Sequence, residues 1–191
     1  MSLRTEVDVG KSLERAEKLL AGIEGGVIKA TWGALKRAGN TAKTQAGRFA
    51  AEEYTIRKSE FMANVSVSAK HDTQPGTKGR EIASMSVRFA GNVLPLLTFN
   101  TKYSRDGRLT TQVKRNGGEA TLQNAFVAQI NGRKAVYERV EAARFPVEQK
   151  FGPSTAHMMQ NERVIEKMDE TMRETYEKRM EHEITRILNG W

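Results

Sequence analysis

Between Asn64 and Phe89 the chain reads NVSVSAKHDTQPGTKGREIASMSVRF, and here the spacing of its apolar side chains changes from three or four residues to two. Val65, Val67 and Ala69 alternate with Ser66, Ser68 and Lys70, and Ala83, Met85, Val87 and Phe89 alternate with Ser84, Ser86 and Arg88. Successive side chains of a strand point to opposite faces, so the alternation predicts two half-buried strands. His71–Gly79 (HDTQPGTKG) separates them and is polar, with proline and glycine, which predicts a loop.

Upstream the period is helical. Leu13, Ala16, Leu19, Leu20 and Ile23 predict a short amphipathic helix over Lys11–Ala21, with Asp8 and Ser12 as capping oxygens. Gly22, Gly25 and Gly26 interrupt it, because each glycine costs about 1 kcal/mol relative to alanine inside a helix. Ile28, Trp32, Leu35, Ala38, Ala42, Ala46 and Phe49 then recur every three or four residues, predicting a long helix from Val27 to about Tyr54 whose small residues admit a close neighbour. A brief third helix is expected at Arg57–Ala63.

Downstream, Asp106-Gly107, Asn116-Gly117 and Asn131-Gly132 each sit between runs of strand character. Such pairs suit two-residue hairpins because both central positions of a type I′ turn need positive φ, so the expectation is an antiparallel meander with three hairpins. Ala120, Leu122, Asn124, Phe126, Ala128 and Ile130 share one face of a strand that would run about 12 residues, close to 40 Å. Such a strand either projects as an arm that pairs with a neighbour or bends around its own core. Arg144–Phe151 (RFPVEQKF) reads as an edge strand, since Pro146 cannot donate to a ladder. Gly152-Pro153-Ser154 reads as a turn, with Ser154 as a helix cap.

The chain then returns to helical spacing. Val164, Met168, Met172, Tyr176, Met180, Ile184 and Ile187 form one stripe, stopped by Asn189-Gly190. Asp169 with Arg173 and Glu174 with Lys178 are spaced for ion pairs worth a few tenths of a kcal/mol each. The fold class expected is α+β, with N-terminal helices and a long C-terminal helix packed on an antiparallel β-sheet. One domain is expected over 1–191, with a helical part over 1–63, the sheet over 64–151 and the last helix over 152–191.

Composition narrows the function. The chain of 191 residues carries a net charge of +8 and no cysteine, which excludes disulfides, thiol nucleophiles and cysteine-ligated metals. The longest strongly apolar run, Val93–Thr98, is far below the roughly 20 residues that span a bilayer, so no membrane partner is expected. Met1–Gly10 lacks the pattern of a secretory signal, which points to the cytoplasm where the chain is made. Asn161–Gly190 holds eight acids and six bases, a local −2, which leaves +10 on the rest. That surplus favours an anionic partner or serves solubility alone.

Catalytic patterns are missing. His182 has no second histidine four residues on, Gly76–Arg80 (GTKGR) has the wrong spacing for a phosphate loop, and Gly-Pro-Ser-Thr-Ala around Ser154 lacks the second glycine of a nucleophile elbow. No catalytic residue, metal ligand or cofactor is expected, and a small hydrolase is disfavoured. The methionines of the last helix read as packing groups. The feature that stands out is a basic segment over Thr101–Gly118, where Lys102, Arg105, Arg108, Lys114 and Arg115 face one acid, Asp106, with Tyr103 interleaved. It suits contact with DNA phosphates or with an acidic partner, or is a solvated hairpin.

Three blocks in this order resemble the minor tail protein Z family of lambda-like phages and prophages, a tail-completion family. They are Lys29–Thr44 (KATWGALKRAGNTAKT), Tyr54–Val67 (YTIRKSEFMANVSV) and Lys150–Met159 (KFGPSTAHMM), whose Phe151, Gly152, Pro153 and Ser154 form the family-like turn. The resemblance spans nearly the whole chain and departs from the pattern at Gly39-Asn40, where a larger apolar residue is expected. It implies a non-enzymatic virion protein of the phage tail, made in the host cytoplasm and acting at the head-proximal end in head-tail joining. Its implied partners are copies of itself in a ring, with six as one candidate number, and neighbouring tail or neck proteins, with non-specific contact to DNA in the tail lumen. The competing reading is a basic nucleic-acid-binding protein that uses the +10 region.

Overall fold

The computed structural model describes residues 10–75, 81–141 and 143–190. It is α+β, as the switch of period predicts. The elements in order are α1 (Gly10–Leu19), α2 (Gly26–Glu53), α3 (Lys58–Asn64), β1 (Ser66–Pro75), β2 (Glu81–Ala90), β3 (Val93–Pro95), a 3₁₀ turn (Leu96–Thr98) and β4 (Asn100–Tyr103). Then come β5 (Leu109–Gln112), β6 (Ala120–Leu122), β7 (Ala125–Ile130), β8 (Arg133–Arg139), β9 (Val147–Gln149), β10 (Phe151–Ser154), α4 (Thr155–Met158) and α5 (Glu162–Leu188). Asp8, the Gly76–Gly79 part of the predicted loop and Arg80 lie outside the described residues. His71–Pro75 belongs to β1, so the strand runs further than the loop signal of its polar residues suggests.

The chain divides into two compact units. One takes residues up to Ala46, Val67–Phe89 and the chain from Ile165. Its core joins Ala16 and Leu20 of α1, Ala30, Ala34 and Ala38 of α2, and Tyr176, Met180 and Ile184 of α5. The stripe on α2 agrees with the one read in sequence at Ala38, Ala42, Ala46 and Phe49, all buried, and departs from it in the first turns of the helix. Ala30, Ala34, Ala38, Ala42, Ala46 and Ala50 are buried, whereas Ile28, Trp32 and Leu35 are only half-buried beside them. Alanines at i, i+4 spacing let neighbours reach the α2 backbone, and the larger side chains flank the seam.

Two glycines extend that seam. A Cβ on Gly33 would lie 2.7 Å from the Glu183 carboxyl carbon, so the carboxylate rests on α2 backbone. Glu183 is buried, and Arg179 Nη2 (2.7 Å) and Arg186 Nη2 (2.9 Å) reach its two oxygens from one turn on either side. A buried carboxylate is tolerable only with such charge partners. A Cβ on Gly39 would collide with the Met85 thioether of β2, so the position that departs from the family pattern is a point of close packing. The ion pairs expected at Asp169 with Arg173 and at Glu174 with Lys178 are not formed among the described residues. The i, i+4 pairs observed are Arg48 with Glu52 and Arg179 with Glu183.

The second unit takes Gly47–Ser66 and Ala90–Val164. Its strands form three small sheets: β3 with β10, β4-β5-β6 and β7-β8-β9. The three hairpins occur where predicted, but the single long strand over Ala120–Ile130 does not. Asn124 adopts φ +56, which ends β6 and starts β7 in a different sheet; a left-handed residue cannot continue a ladder, and asparagine tolerates it best after glycine. Only Asn131 (φ +49) and Gly132 (φ +76) form the expected turn with two positive φ values. The longer β4–β5 and β5–β6 connections leave room for other turns, and there Gly107 alone has positive φ.

Phe151–Ser154 is a strand and not the turn read from its glycine and proline. It pairs with β3, Phe151 opposite Pro95 and Ser154 opposite Val93, with an irregularity between. Gly152 is required there because a Cβ would sit 2.4 Å from the Phe99 ring. Ser154 does cap the following helix, its hydroxyl accepting from His157 N at 3.1 Å.

Gly33→Ala should destabilise the protein by about 1–3 kcal/mol despite alanine's better helix propensity, because the paired Glu183 carboxylate has nowhere to go. Gly39→Ala should cost less, since only the flexible end of Met85 must move. Urea unfolding of both variants checks the order. Tyr176, whose hydroxyl is buried without a well-formed hydrogen bond, has its pKa pushed up to about 12 by burial, with the Thr31 hydroxyl acting in the opposite sense. The folded value lies above the unfolded one, so this contribution is complete below about pH 10 and is lost as pH rises towards 12. Tyr176→Phe should remove an alkaline stability loss of about 1.4 kcal/mol between pH 8 and pH 11 in the same unfolding assay.

Candidate interaction surface

The basic segment lies entirely in the second unit, and β5 is its anchor: Leu109 is buried and pairs with Leu122 of β6. The chain after β5 closes the end of α2. Arg115 N donates to Glu53 O (2.9 Å), Thr55 N to Val113 O (2.9 Å) and Arg115 Nε to Ala51 O (2.7 Å). The last carbonyls of a helix have no partner within it, so Arg115 is first of all a cap for α2.

Of the other predicted contact residues, Lys102 pairs with Glu119 at 2.6 Å, an acid just beyond the segment. Arg108 lies 3.6 Å from Asp106. The Tyr103 hydroxyl accepts from Val127 N at 3.1 Å, fixing a half-exposed ring beside β7. Lys114 bridges to Tyr54 and lines a cavity of ≈490 Å³ with Glu53, His157 and Arg163. Arg163 lies 3.5 Å from Glu53, and this cavity carries acids and bases in near balance. Arg105 is exposed at the tip with no ion pair among the described residues. The six residues are therefore not one cluster. Arg105, Arg108 and Tyr103 face solvent near the tip, while Lys102, Lys114 and Arg115 serve the frame behind it.

The tip is ordered by its acid. Ser104 donates its hydroxyl to Asp106, and Ser104 N donates to Arg108 O at 2.8 Å. Asp106 is held below the usual carboxylate range, chiefly by the Ser104 hydroxyl and then by the Arg108 backbone N–H and charge.

Among the described residues no group of three or more histidine, aspartate or glutamate side chains is placed to hold a metal ion, and no helix is long and apolar enough to cross a membrane. Sequence reasoning missed the exposed apolar groups of this unit. Val93 and Phe151 lie on β3 and β10, and Val140 and Phe145 lie at the β8–β9 connection, with Arg144 5.8 Å from the Phe145 ring. The sign was present in aromatics within segments that have no buried face to serve, and exposed apolar side chains mark contact surfaces.

The family model for prophage minor tail protein Z matches residues 11–190. The chain belongs to this family. It is accordingly a structural tail component of the phage particle, whose association is with other tail components. No curated protein and no solved structure matches the chain. The Lys29–Thr44, Tyr54–Val67 and Lys150–Met159 blocks of this minor tail protein supply the Gly33 and Gly39 seam, α3 and the β10–α4 cap, so they hold the scaffold.

Ser104→Ala should raise the Asp106 pKa towards its ordinary value of 3.8. Because that pKa is depressed in the folded tip, order at the tip is present above the unfolded value and is lost as pH falls through the folded one. The variant should lose it at higher pH than the wild type. Carboxyl NMR titration of Asp106 with amide exchange at Gly107 and Arg108 measures both.

Proposed function

We propose that this chain assembles with copies of itself as a ring at the head-proximal end of the tail and makes the tail competent to join a head, acting by surface docking without catalysis. The match of the minor tail protein Z family over residues 11–190 carries this reading. Two features of the second unit support it. The β4–β5 tip offers Arg105 with no ion-pair partner among the described residues, and Val93, Val140, Phe145 and Phe151 leave large apolar groups exposed. Open strand edges, such as the outer edge of β9, are templates for pairing with another chain.

The test must spare the scaffold. Deleting the whole of Thr101–Gly118 would remove buried Leu109 and the Arg115 cap, so a folded product is not expected. Arg105→Glu changes the tip alone. In phage lacking the native gene and supplied with the variant, particles with joined heads and tails should fall about tenfold or more, because a like charge across a docking surface costs several kcal/mol. Wild-type joining by the folded variant refutes a docking role for the tip.

A further inference from the structure

A second concavity of the β-rich unit carries charge that no sequence motif marks. Its volume is ≈600 Å³, and three separated segments line it: Thr55, Arg57 and Glu60 around the start of α3, Pro95 and Leu97–Thr101 along β3, the 3₁₀ turn and β4, and Lys134 of β8. Arg57 and Lys134 are exposed and have no ion pair among the described residues, although Lys102, Arg108, Lys150 and Arg163 of the same unit each have one. The floor is pinned. Thr55 donates its hydroxyl to Gln112 O and accepts from Asn100 N at 3.1 Å, and Thr101 Oγ1 donates to Leu96 O at 2.8 Å. The Thr98 hydroxyl makes no hydrogen bond among the described residues.

We propose that this groove binds the sugar-phosphate backbone of nucleic acid, with Arg57 and Lys134 each neutralising one phosphate and Thr98 and Asn100 donating to phosphate or sugar oxygens. Arginine, lysine, hydroxyl and amide groups make up the usual phosphate-contacting set. An acidic protein face is the poorer fit, because the centres of protein interfaces are depleted in lysine and rich in aromatic anchors, and the only ring here, Phe99, is buried in the floor. Glu60 at the rim has no ion pair among the described residues and opposes the anion, so it limits affinity.

The test uses the full chain and a fluorescently labelled DNA duplex, with anisotropy read from low to moderate sodium chloride. The wild type should bind at low salt. Arg57→Ala with Lys134→Ala should weaken binding at least about tenfold and flatten the log–log salt slope by about 1.8, the share of two phosphates. Glu60→Gln should tighten binding, an outcome that no loss of folding can imitate. Arg105→Ala should leave the slope within one phosphate of wild type. No wild-type binding at low salt, an unchanged slope in the double variant, or weaker binding by Glu60→Gln overturns the proposal. So does displacement of the duplex by inorganic phosphate at constant ionic strength, which marks a free-phosphate site. Displacement by polyglutamate as effectively as by unlabelled duplex also overturns it, in favour of an acidic protein.

Discussion

The constraint on which the structure depends is how near other groups can come to the backbone of α2. Alanines at Ala30, Ala34, Ala38, Ala42, Ala46 and Ala50, with Gly33 between two of them, leave little side chain along one stripe of that helix. Tyr176, Met180 and Ile184 of α5 fill the space in one unit, and Phe49, Ala50 and Tyr54 are buried in the other. Such a stripe gives up apolar area per residue and gains dispersion contacts at short range, which makes its packing intolerant of added volume. The buried Glu183 with its two arginines is the extreme case: a carboxylate occupies the room a Cβ would need.

Much of this was legible in the sequence, and the failures have physical causes. Helices were read well where amphipathic stripes repeat over several turns: α1, α2 and α3 begin and end within a few residues of their predicted bounds, whereas the last helix, expected over 152–191, starts only at Glu162 because β10 and the short α4 take Phe151–Met158. The first turns of the α2 stripe were misplaced because Trp32 and Leu35 outweigh alanine on any hydrophobicity scale, whereas packing put Ala30 and Ala34 at the centre there. Period-2 patterns located the strands but not their partners, so Asn124 looked like one more member of the Ala120–Ile130 row until its positive φ divided that row between two sheets. Gly152-Pro153 carries turn residues in a strand, because the Phe99 ring demands a glycine there.

The candidate contact residues were harder to read than the fold. Charge counting along Thr101–Gly118 found one acid among five bases, but neutralisation happens in space, and Glu119 and the α2 carbonyls occupy Lys102 and Arg115. What is left at the tip is Arg105 with a locally paired Arg108. The unpaired cations that share a concavity, Arg57 and Lys134, come from segments far apart in the chain, and no run of basic residues announces them. The exposed apolar residues were overlooked for the opposite reason, since residue type alone marks a phenylalanine as core and only the lack of a buried face in its segment says otherwise.

The family match agrees with a protein that works as a component of the phage tail. The most direct test is electron cryo-microscopy of tails assembled with and without this chain. The account predicts extra density at the head-proximal end, arranged as repeated copies, into which the α5-containing and β-rich units fit. Tails indistinguishable in the two preparations, or density confined to the distal end, would contradict it.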